Sequence, residues 1–258
     1  MEKTMLKEFW TDKLHVRVFA SRASMGACAG TEAAECIKKL LSQKEEINVM
    51  FAAAPSQNEM LASLCADAGV DWSRVNAFHM DEYVDLDPAH PSGFRNFLKR
   101  AIFDRFPFKS VHLIDGNTGD AEGAADDYAA LLRAHPLDVC LMGIGENGHI
   151  AFNDPPVADF QDPKWVKVVE LEERCRVQQV HDGCFERLED VPTHALTVTV
   201  PALMNAREIF CTVPAPTKAE AARAMLTGEI AVSCPASILR THCSARLYLD
   251  NDSGKYVL

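Results

Sequence analysis

The chain has 258 residues, of which 48% are hydrophobic, so it is long enough for one large α/β domain with a sheet buried on both faces. Its 26 Lys and Arg against 37 Asp and Glu give a net charge of -11, which argues against nucleic-acid binding, because that requires clustered positive charge. No apolar run approaches the roughly 20 residues of a membrane-spanning helix, the first residues lack a signal-peptide core, and nine cysteines without zinc spacing indicate reduced thiols, so we expect a cytoplasmic protein without a membrane partner.

Strand-like and helical patterns alternate along the chain. Apolar runs predict strands at residues 14–19, 47–53, 75–79, 110–114, 137–142, 165–171, 196–200, 208–213 and 245–249. Helical patterns lie between them at residues 24–41, 57–68, 94–105 and 120–134, and after Lys218, with Ser24 and Ser56 as predicted caps of the first two. This alternation, without an internal repeat or linker, predicts a single α/β domain over residues 1–258 with a mostly parallel open sheet and helices on both faces.

The first chemically informative segment follows the strand predicted at residues 75–79. Residues 80–83 read Met-Asp-Glu-Tyr, and the adjacent carboxylates of Asp81 and Glu82 must point in different directions on extended backbone. If Asp81 faces a cleft, partial burial beside Glu82 would raise its pKa toward the range of a base that abstracts a proton next to a carbonyl. Taken alone, such a segment is more often a solvated acidic turn, here continued by Asp85 and Asp87.

The second segment, residues 143–155, follows a predicted buried strand and reads Gly-Ile-Gly-Glu-Asn-Gly-His-Ile-Ala-Phe-Asn-Asp-Pro. Its three glycines, Gly145 among them, let the backbone turn and approach a ligand, and open α/β sheets bind ligands at the carboxyl ends of strands. Asn147 and His149 are two residues apart, and Asp154 could orient the histidine for acid–base work. The alternative is a glycine turn whose histidine only satisfies local backbone groups.

Together the two segments resemble the glucosamine-6-phosphate deaminase family, whose members carry a Met-Asp-Glu-Tyr segment and a Gly-x-Gly-x-[Asp/Asn]-Gly-His-Ile-x-Phe-Asn-Glu-Pro segment at similar separation. The resemblance covers most of the chain, including residues 195–200 and the region of Lys218, and is weak over residues 156–190. The related 6-phosphogluconolactonases share the fold and a Gly-His pair, but residues 150–153 favour the deaminase branch.

The resemblance implies a reaction and a role for each matched residue. Asp81 would move a proton between C2 and C1 of an open-chain phosphorylated amino sugar, glucosamine-6-phosphate, which becomes fructose-6-phosphate and ammonia. His149 would open the sugar ring, Asn147 and Asp154 would orient or assist it, and Glu82 would lie beside the base in the substrate site. This chemistry needs no metal and no organic cofactor.

Two departures from the family pattern bear on the substrate. Asp154 is one methylene shorter than the usual Glu, and residues 52–58 stand where the family has a Thr-Gly-rich phosphate loop. That loop could still hold a phosphate through Ser56, Gln57 and Asn58 and through the start of the following helix, although an ordinary helix cap is the commoner case.

Other features of the family are matched less directly. Lys218 matches a phosphate-contacting lysine. A phosphate-gripping arginine should fall near residues 176–181, where His181 could take its place and make phosphate affinity depend on pH near neutrality. The resemblance also places a lid over the substrate at about residues 83–105, and it leaves a homo-oligomer open.

The sequence leaves alternatives to the deaminase open. A lactonase or a non-deaminating sugar-phosphate isomerase could use the same fold, and the altered phosphate loop would suit a catalytically silent sugar-phosphate sensor or a different phosphorylated amino sugar. A metal site built from Asp81, Glu82, His149 and Asp154 is conceivable from their ligand types, but the resemblance argues against it.

Overall fold

The computed structural model of the protein describes residues 4–258, so residues 1–3 of the domain predicted over residues 1–258 lie outside the described part of the chain. The strands are β1 (Met5–Thr11), β2 (Leu14–Phe19), β3 (Ile47–Phe51), β4 (Val75–His79), β5 (Asp81–Tyr83), β6 (Ser110–His112), β7 (Val139–Met142), β8 (Val166–Glu170), β9 (His194–Val198), β10 (Glu208–Val213) and β11 (Ala245–Asp250). The helices are α1 (Arg22–Leu41), α2 (Asn58–Cys65), α3 (Phe94–Leu98), α4 (Ala121–Ala134), α5 (Glu173–His181), α6 (Val200–Met204) and α7 (Ala219–Thr227). None of these helices combines the length and the apolar character that crossing a bilayer requires.

Eight strands form the main sheet, in the order β1-β2-β11-β10-β7-β3-β4-β6. Every neighbouring pair is parallel except β1 with β2, which confirms the predicted mostly parallel sheet. Side chains of the central strands alternate between two buried clusters: Met50 and Phe78 face one cluster, and Val49, Phe51 and Ala77 face the other. Helices α4, α6 and α7 cover the first face and α1, α2 and α3 the second, as expected for a parallel sheet buried on both sides.

A second sheet is small and antiparallel, in the order β5-β9-β8. Strands β8 and β9 correspond to the runs predicted at residues 165–171 and 196–200, but they pair with each other and with β5 and do not join the main sheet. Strand β5 was not predicted, because three residues are too few to show a pattern. Strand β1 was not predicted either, because most residues of that edge strand are exposed and do not alternate.

Three predicted helix features differ from the structure. Helix α1 is capped by Ser21 and not by Ser24, because the Oγ of Ser21 accepts a hydrogen bond from the backbone N–H of Ser24 at 3.1 Å and Ser24 bonds back in a capping box. Ser56 is not a cap either, since it lies within a 3-10 turn, Pro55–Gln57, that precedes α2. The helix predicted at residues 94–105 is α3 continued by a π-helical turn over Lys99–Phe103.

The strands β3, β4, β7 and β10 end close to one another at one edge of the main sheet. Phe51 is paired with both His79 and Leu141, and Cys211 with Met142. The chain order reverses between β3 and β7, because β4 and β6 continue on one side of β3 and β7 returns to its other side. Ligands of open α/β sheets bind at such a switch point, and the loops after these strands hold both of the segments singled out in the sequence.

Candidate active site

A pocket opens at this edge, between the loops that follow β3, β4, β7 and β10 and the end of α5. It brings together residues from both segments and from the Lys218 region. Its polar lining comprises Ser56, Gln57, Asp81, His149, Gln178, Gln179, Asp182 and Lys218, and Gly145, Met80, Phe94 and Phe152 also line it.

Asp81 is the carboxylate of the first segment, residues 80–83, that faces this pocket. It is the first residue of β5, and its pairing with Thr197 of β9 fixes its backbone. The residue is 7% exposed, and its carboxylate makes no hydrogen bond with any residue of the described chain. Burial, and then the charge of Glu82, raises the pKa of Asp81 well above its usual value. Such a carboxylate is free to contact a bound molecule and is a stronger base than an exposed one.

His149 lies in the loop after β7 and packs directly against Gly145. A Cβ atom at position 145 would lie 2.2 Å from Cε1 of His149, so only glycine leaves room for the ring. Nδ1 of His149 is 2.9 Å from Oδ1 of Asp154, in an ion-pair contact that is close in distance but bent at the ring nitrogen. The shorter side chain of Asp154 therefore does reach the histidine.

Asn147 connects residues of this loop and Glu172 through three hydrogen bonds. Its Oδ1 accepts a hydrogen bond from the backbone N–H of His149 at 3.0 Å, and its Nδ2 donates to Asp154 at 2.8 Å and to Glu172 at 2.9 Å. Burial raises the pKa of Asp154, but contacts with His149 and hydrogen bonds from Asn147 and Cys175 outweigh it, so the net shift is downward and the carboxylate is ionised at neutral pH. Asn147 and Asp154 thus lie behind His149 and outside the pocket lining.

The loop after β3 contributes two side chains that are joined by hydrogen bonds. Oε1 of Gln57 accepts from Oγ1 of Thr212 at 3.2 Å, and Nε2 of Gln57 donates to Oγ of Ser56 at 3.0 Å. Since the Ser56 oxygen accepts this bond, its own proton is available to a ligand. A Cβ at Gly143 would lie 2.8 Å from Nε2 of Gln57, so that glycine makes room for the Gln57 side chain. Asn58, the third residue predicted here, is exposed on α2 and outside the lining.

Lys218 supplies an ammonium group to the pocket. It is 4% exposed, and within residues 4–258 its side chain forms neither a hydrogen bond nor an ion pair. Burial lowers its pKa, and the charges of Asp182 and Glu146 partly oppose that shift. The lysine follows Ala215, whose φ of 84° is strained for a residue other than glycine. A buried and unpaired ammonium is unfavourable, so its position indicates a place for an anion.

Glu82 does not lie where the sequence analysis put it. Its carboxylate is turned away from the pocket lining and accepts hydrogen bonds from the backbone N–H groups of Phe94 at 3.1 Å and Arg95 at 2.9 Å. The guanidinium of Arg95 also pairs with it at 3.2 Å. Glu82 therefore anchors the start of α3, which belongs to the predicted lid, to the strand that carries Asp81.

His181, predicted to contact the phosphate, lies outside the pocket lining. It is exposed, and its Nδ1 lies 3.5 Å from Oε2 of Glu146. The pocket is lined instead by Gln178, Gln179 and Asp182, none of which was predicted from the sequence. The family resemblance indicates this stretch of chain, but α5 lacks an apolar stripe that would show which of its faces turns inward.

Comparison with known proteins shows to which family the chain belongs. A family model described as Glucosamine-6-phosphate isomerases/6-phosphogluconolactonase matches residues 20–248. A glucosamine-6-phosphate deaminase from an Exiguobacterium species is 40% identical over 214 residues, 83% of this chain and 82% of that protein. One from Bacillus cereus (strain B4264) is 34% identical over 217 residues, 84% of this chain and 80% of that protein.

Solved structures show the same fold. A monomeric glucosamine-6-phosphate deaminase superimposes with a TM-score of 0.84 at 24% identity, covering 93% of this chain and 98% of that one. A 6-phosphogluconolactonase from Shewanella baltica OS155 gives a TM-score of 0.74 at 14% identity, covering 95% and 98%. Because the family model spans most of the chain and the two curated relatives are 34% and 40% identical to it, the chain belongs to the family of glucosamine-6-phosphate isomerases and 6-phosphogluconolactonases.

Proposed function

We propose that the protein is a glucosamine-6-phosphate deaminase, which converts glucosamine-6-phosphate and water into fructose-6-phosphate and ammonia. The observation that carries the proposal is the presence in one pocket of an unbonded buried carboxylate, Asp81, an imidazole, His149, and a buried ammonium, Lys218. The reaction requires a base for a C–H bond, a group that opens the sugar ring and a cation for the phosphate. Curated relatives with 34% and 40% identity carry the same enzyme name, which supports the proposal.

In the proposed reaction His149 acts first. The imidazole takes a proton from the C1 hydroxyl and returns one to the ring oxygen, so the bond between C1 and that oxygen breaks and C1 becomes an aldehyde. Asp154 stabilises the imidazolium that forms in between, and Asn147 holds both side chains. The aldehyde makes the hydrogen on C2 acidic enough for the next step.

Asp81 acts second. It takes the C2 proton, which gives an enolamine, and returns a proton to C1. A second proton moves from the amino nitrogen to the C1 oxygen, which leaves a hydroxyl at C1 and a ketimine at C2. Water hydrolyses the ketimine to the ketose phosphate and ammonia. Lys218, Ser56 and Gln57 hold the phosphate during these steps, and no step is assigned to a metal or an organic cofactor.

The other activity of the family is lactone hydrolysis, and one observation favours the deaminase over it. A lactonase needs a histidine to activate water but has no use for a second, buried carboxylate in the pocket. Asp81 is such a carboxylate, and its burial makes its charge unfavourable for stability.

The function is tested by following ammonia and fructose-6-phosphate in parallel after addition of glucosamine-6-phosphate to the purified protein. We expect the two products to appear in equal amounts. Hydrolysis of 6-phosphogluconolactone without ammonia release from the amino sugar would assign the lactonase activity instead, and binding of the amino-sugar phosphate without turnover would identify a sensor.

Replacement of Lys218 by methionine tests the phosphate site. We expect kcat/KM for glucosamine-6-phosphate to fall about 10- to 100-fold, because a hydrogen bond to a charged group is worth about 1.5–3 kcal/mol. The residual activity on unphosphorylated glucosamine should change little. Removal of a buried, unpaired ammonium should also raise the melting temperature.

The matched control for this variant is Lys13→Met, which removes an exposed lysine without altering the pocket. The activity of this variant on both the phosphorylated and the unphosphorylated sugar should equal that of the unmodified protein. Equal losses on the phosphorylated and unphosphorylated sugars in Lys218→Met would show that the lysine does not contact the phosphate.

A further inference from the structure

A cluster of three potential metal ligands lies behind the pocket. An imidazole nitrogen of His149, a carboxylate oxygen of Asp154 and Sγ of Cys175 all lie within 4.8 Å of one another. Cys175 comes from α5, whereas the other two come from the loop after β7, so the fold brings them together across more than one element. All three side chains are buried, and Cys175 is 1% exposed.

Two atoms of this cluster have close neighbours but lack a well-aligned hydrogen-bond partner. In the described part of the chain, neither Nδ1 of His149 nor Oδ2 of Asp154 has one, although their side chains are only 9% and 1% exposed. The neighbouring amide of Asn147 is already committed, since it donates to the other oxygen of Asp154 and to Glu172. Buried polar atoms are normally satisfied, so two such atoms within a cluster of three potential metal ligands indicate a place for a ligand.

We propose that His149, Asp154 and Cys175 form a binding site for a divalent ion of the zinc type. A nitrogen, an oxygen and a sulfur ligand are the donors that Zn²⁺ accepts, and the thiolate disfavours Mg²⁺ and Ca²⁺, which prefer oxygen. Ionised Asp154 and the Cys175 thiolate together neutralise the two charges of the ion. Three protein ligands leave a fourth tetrahedral position for water.

Binding balances as an exchange of a proton for the metal. Burial raises the pKa of Cys175 well above its usual value, so the free thiol is protonated and donates to Asp154. As the ion binds, the S–H bond breaks, a Zn–S bond forms and one proton leaves to solvent. Nδ1 of His149 lies beside the Asp154 carboxylate, so the ring proton must move from Nδ1 to Nε2 before the Nδ1 lone pair can bind the ion. Asp154 contributes a carboxylate oxygen, and no oxidation state changes.

The ion would oppose the deaminase and not assist it. It occupies the ring nitrogen and the carboxylate that together stabilise the imidazolium of His149, so the ring-opening step should be inhibited. This inhibition rests on the proposed function, whereas the binding does not.

The binding is tested with Co²⁺ as a spectroscopic substitute for Zn²⁺, added to the full chain without substrate. We expect one ion per chain, the visible bands of a tetrahedral site and a near-ultraviolet band from thiolate ligation. The thiolate band should disappear in both Cys175→Ser and Cys175→Ala, and Zn²⁺ affinity should fall by more than about tenfold. The serine variant keeps a donor for Asp154, and thermal unfolding followed by circular dichroism shows whether each variant is folded.

Two controls remove other thiols. Cys243→Ser removes the exposed cysteine. Cys36→Ser removes a half-buried cysteine whose pKa is raised by burial and by the charge of Glu208. Both should keep the spectrum of the unmodified protein. A thiolate band that survives in folded Cys175→Ser, or no stoichiometric ion in the unmodified protein, overturns the site. Ion binding in a protein without deaminase turnover would contradict only the proposed function, and turnover without ion binding only this inference.

Discussion

Replacing Asp81 by asparagine lowers kcat for ammonia release from glucosamine-6-phosphate about 10²- to 10⁴-fold, the range that a positioned general base contributes. Asparagine keeps the shape and polarity of the side chain but cannot accept the C2 proton. KM should change far less, because the contacts that hold the sugar and its phosphate remain. Initial rates at several substrate concentrations separate the two parameters.

The control for this variant is Asp85→Asn in the same segment of chain. Asp85 is exposed and has a φ of 57°, a conformation that asparagine tolerates well. Its replacement should leave kcat and KM close to those of the unmodified protein. Similar losses in both variants, or an active Asp81→Asn, would falsify the assignment of Asp81 as the base.

Asp81→Asn should also be more stable than the unmodified protein at neutral pH. The pKa of Asp81 is raised in the folded state by burial and by Glu82, so the folded chain holds a proton that the unfolded chain releases near about pH 3.9. The stability that this group contributes is therefore present at low pH and is lost as pH rises toward the folded pKa. The asparagine variant lacks this loss, so the gap between the two melting temperatures should widen as pH increases from about 4.

Replacing His149 by glutamine has the second large effect, a loss in kcat of about 10²- to 10⁴-fold at ordinary enzyme concentrations. Glutamine can form hydrogen bonds but cannot carry a proton from the C1 hydroxyl to the ring oxygen. The variant should still use the small fraction of sugar phosphate that opens spontaneously in solution. Its rate should therefore reach a ceiling, set by spontaneous ring opening, that further enzyme does not raise.

Asp81→Asn should show no such ceiling, because ring opening is intact in that variant and proton transfer is lost. His181→Gln is the control for loss of a histidine, since His181 is exposed and outside the pocket lining. It should retain full activity with unchanged phosphate affinity across neutral pH. A His149→Gln rate that stays proportional to enzyme concentration at every level would separate His149 from the ring-opening step.

Much of the fold and the chemistry could be predicted because the signals are local. Residues 139–142 are four consecutive buried apolar residues between turn residues, and such runs mark strands wherever they pair. The types and spacing of Asp81, His149 and Asp154 likewise lie within two short segments. The structure places Asp81 and His149 at one pocket and Asp154 directly behind the histidine.

Other features depend on which surfaces meet, and no local pattern contains that information. Strands β8 and β9 look like members of the main sheet but pair with β5, and Glu82 turns to Arg95 because alternation along β5 points it away from Asp81. The sequence also could not show that His181 lies outside the pocket lining, because the orientation of α5 follows from its packing and not from its own composition.

Strand positions, the sign of the net charge and the residues able to transfer protons are properties of the chain, because residue type and short-range spacing set them. Other features are decided only by the tertiary structure. They are the raised pKa of Asp81, the burial of Lys218 without a partner, and the contact of Cys175 with His149 and Asp154. They arise from the removal of water around groups that are distant in sequence, and only packing of the folded chain does that.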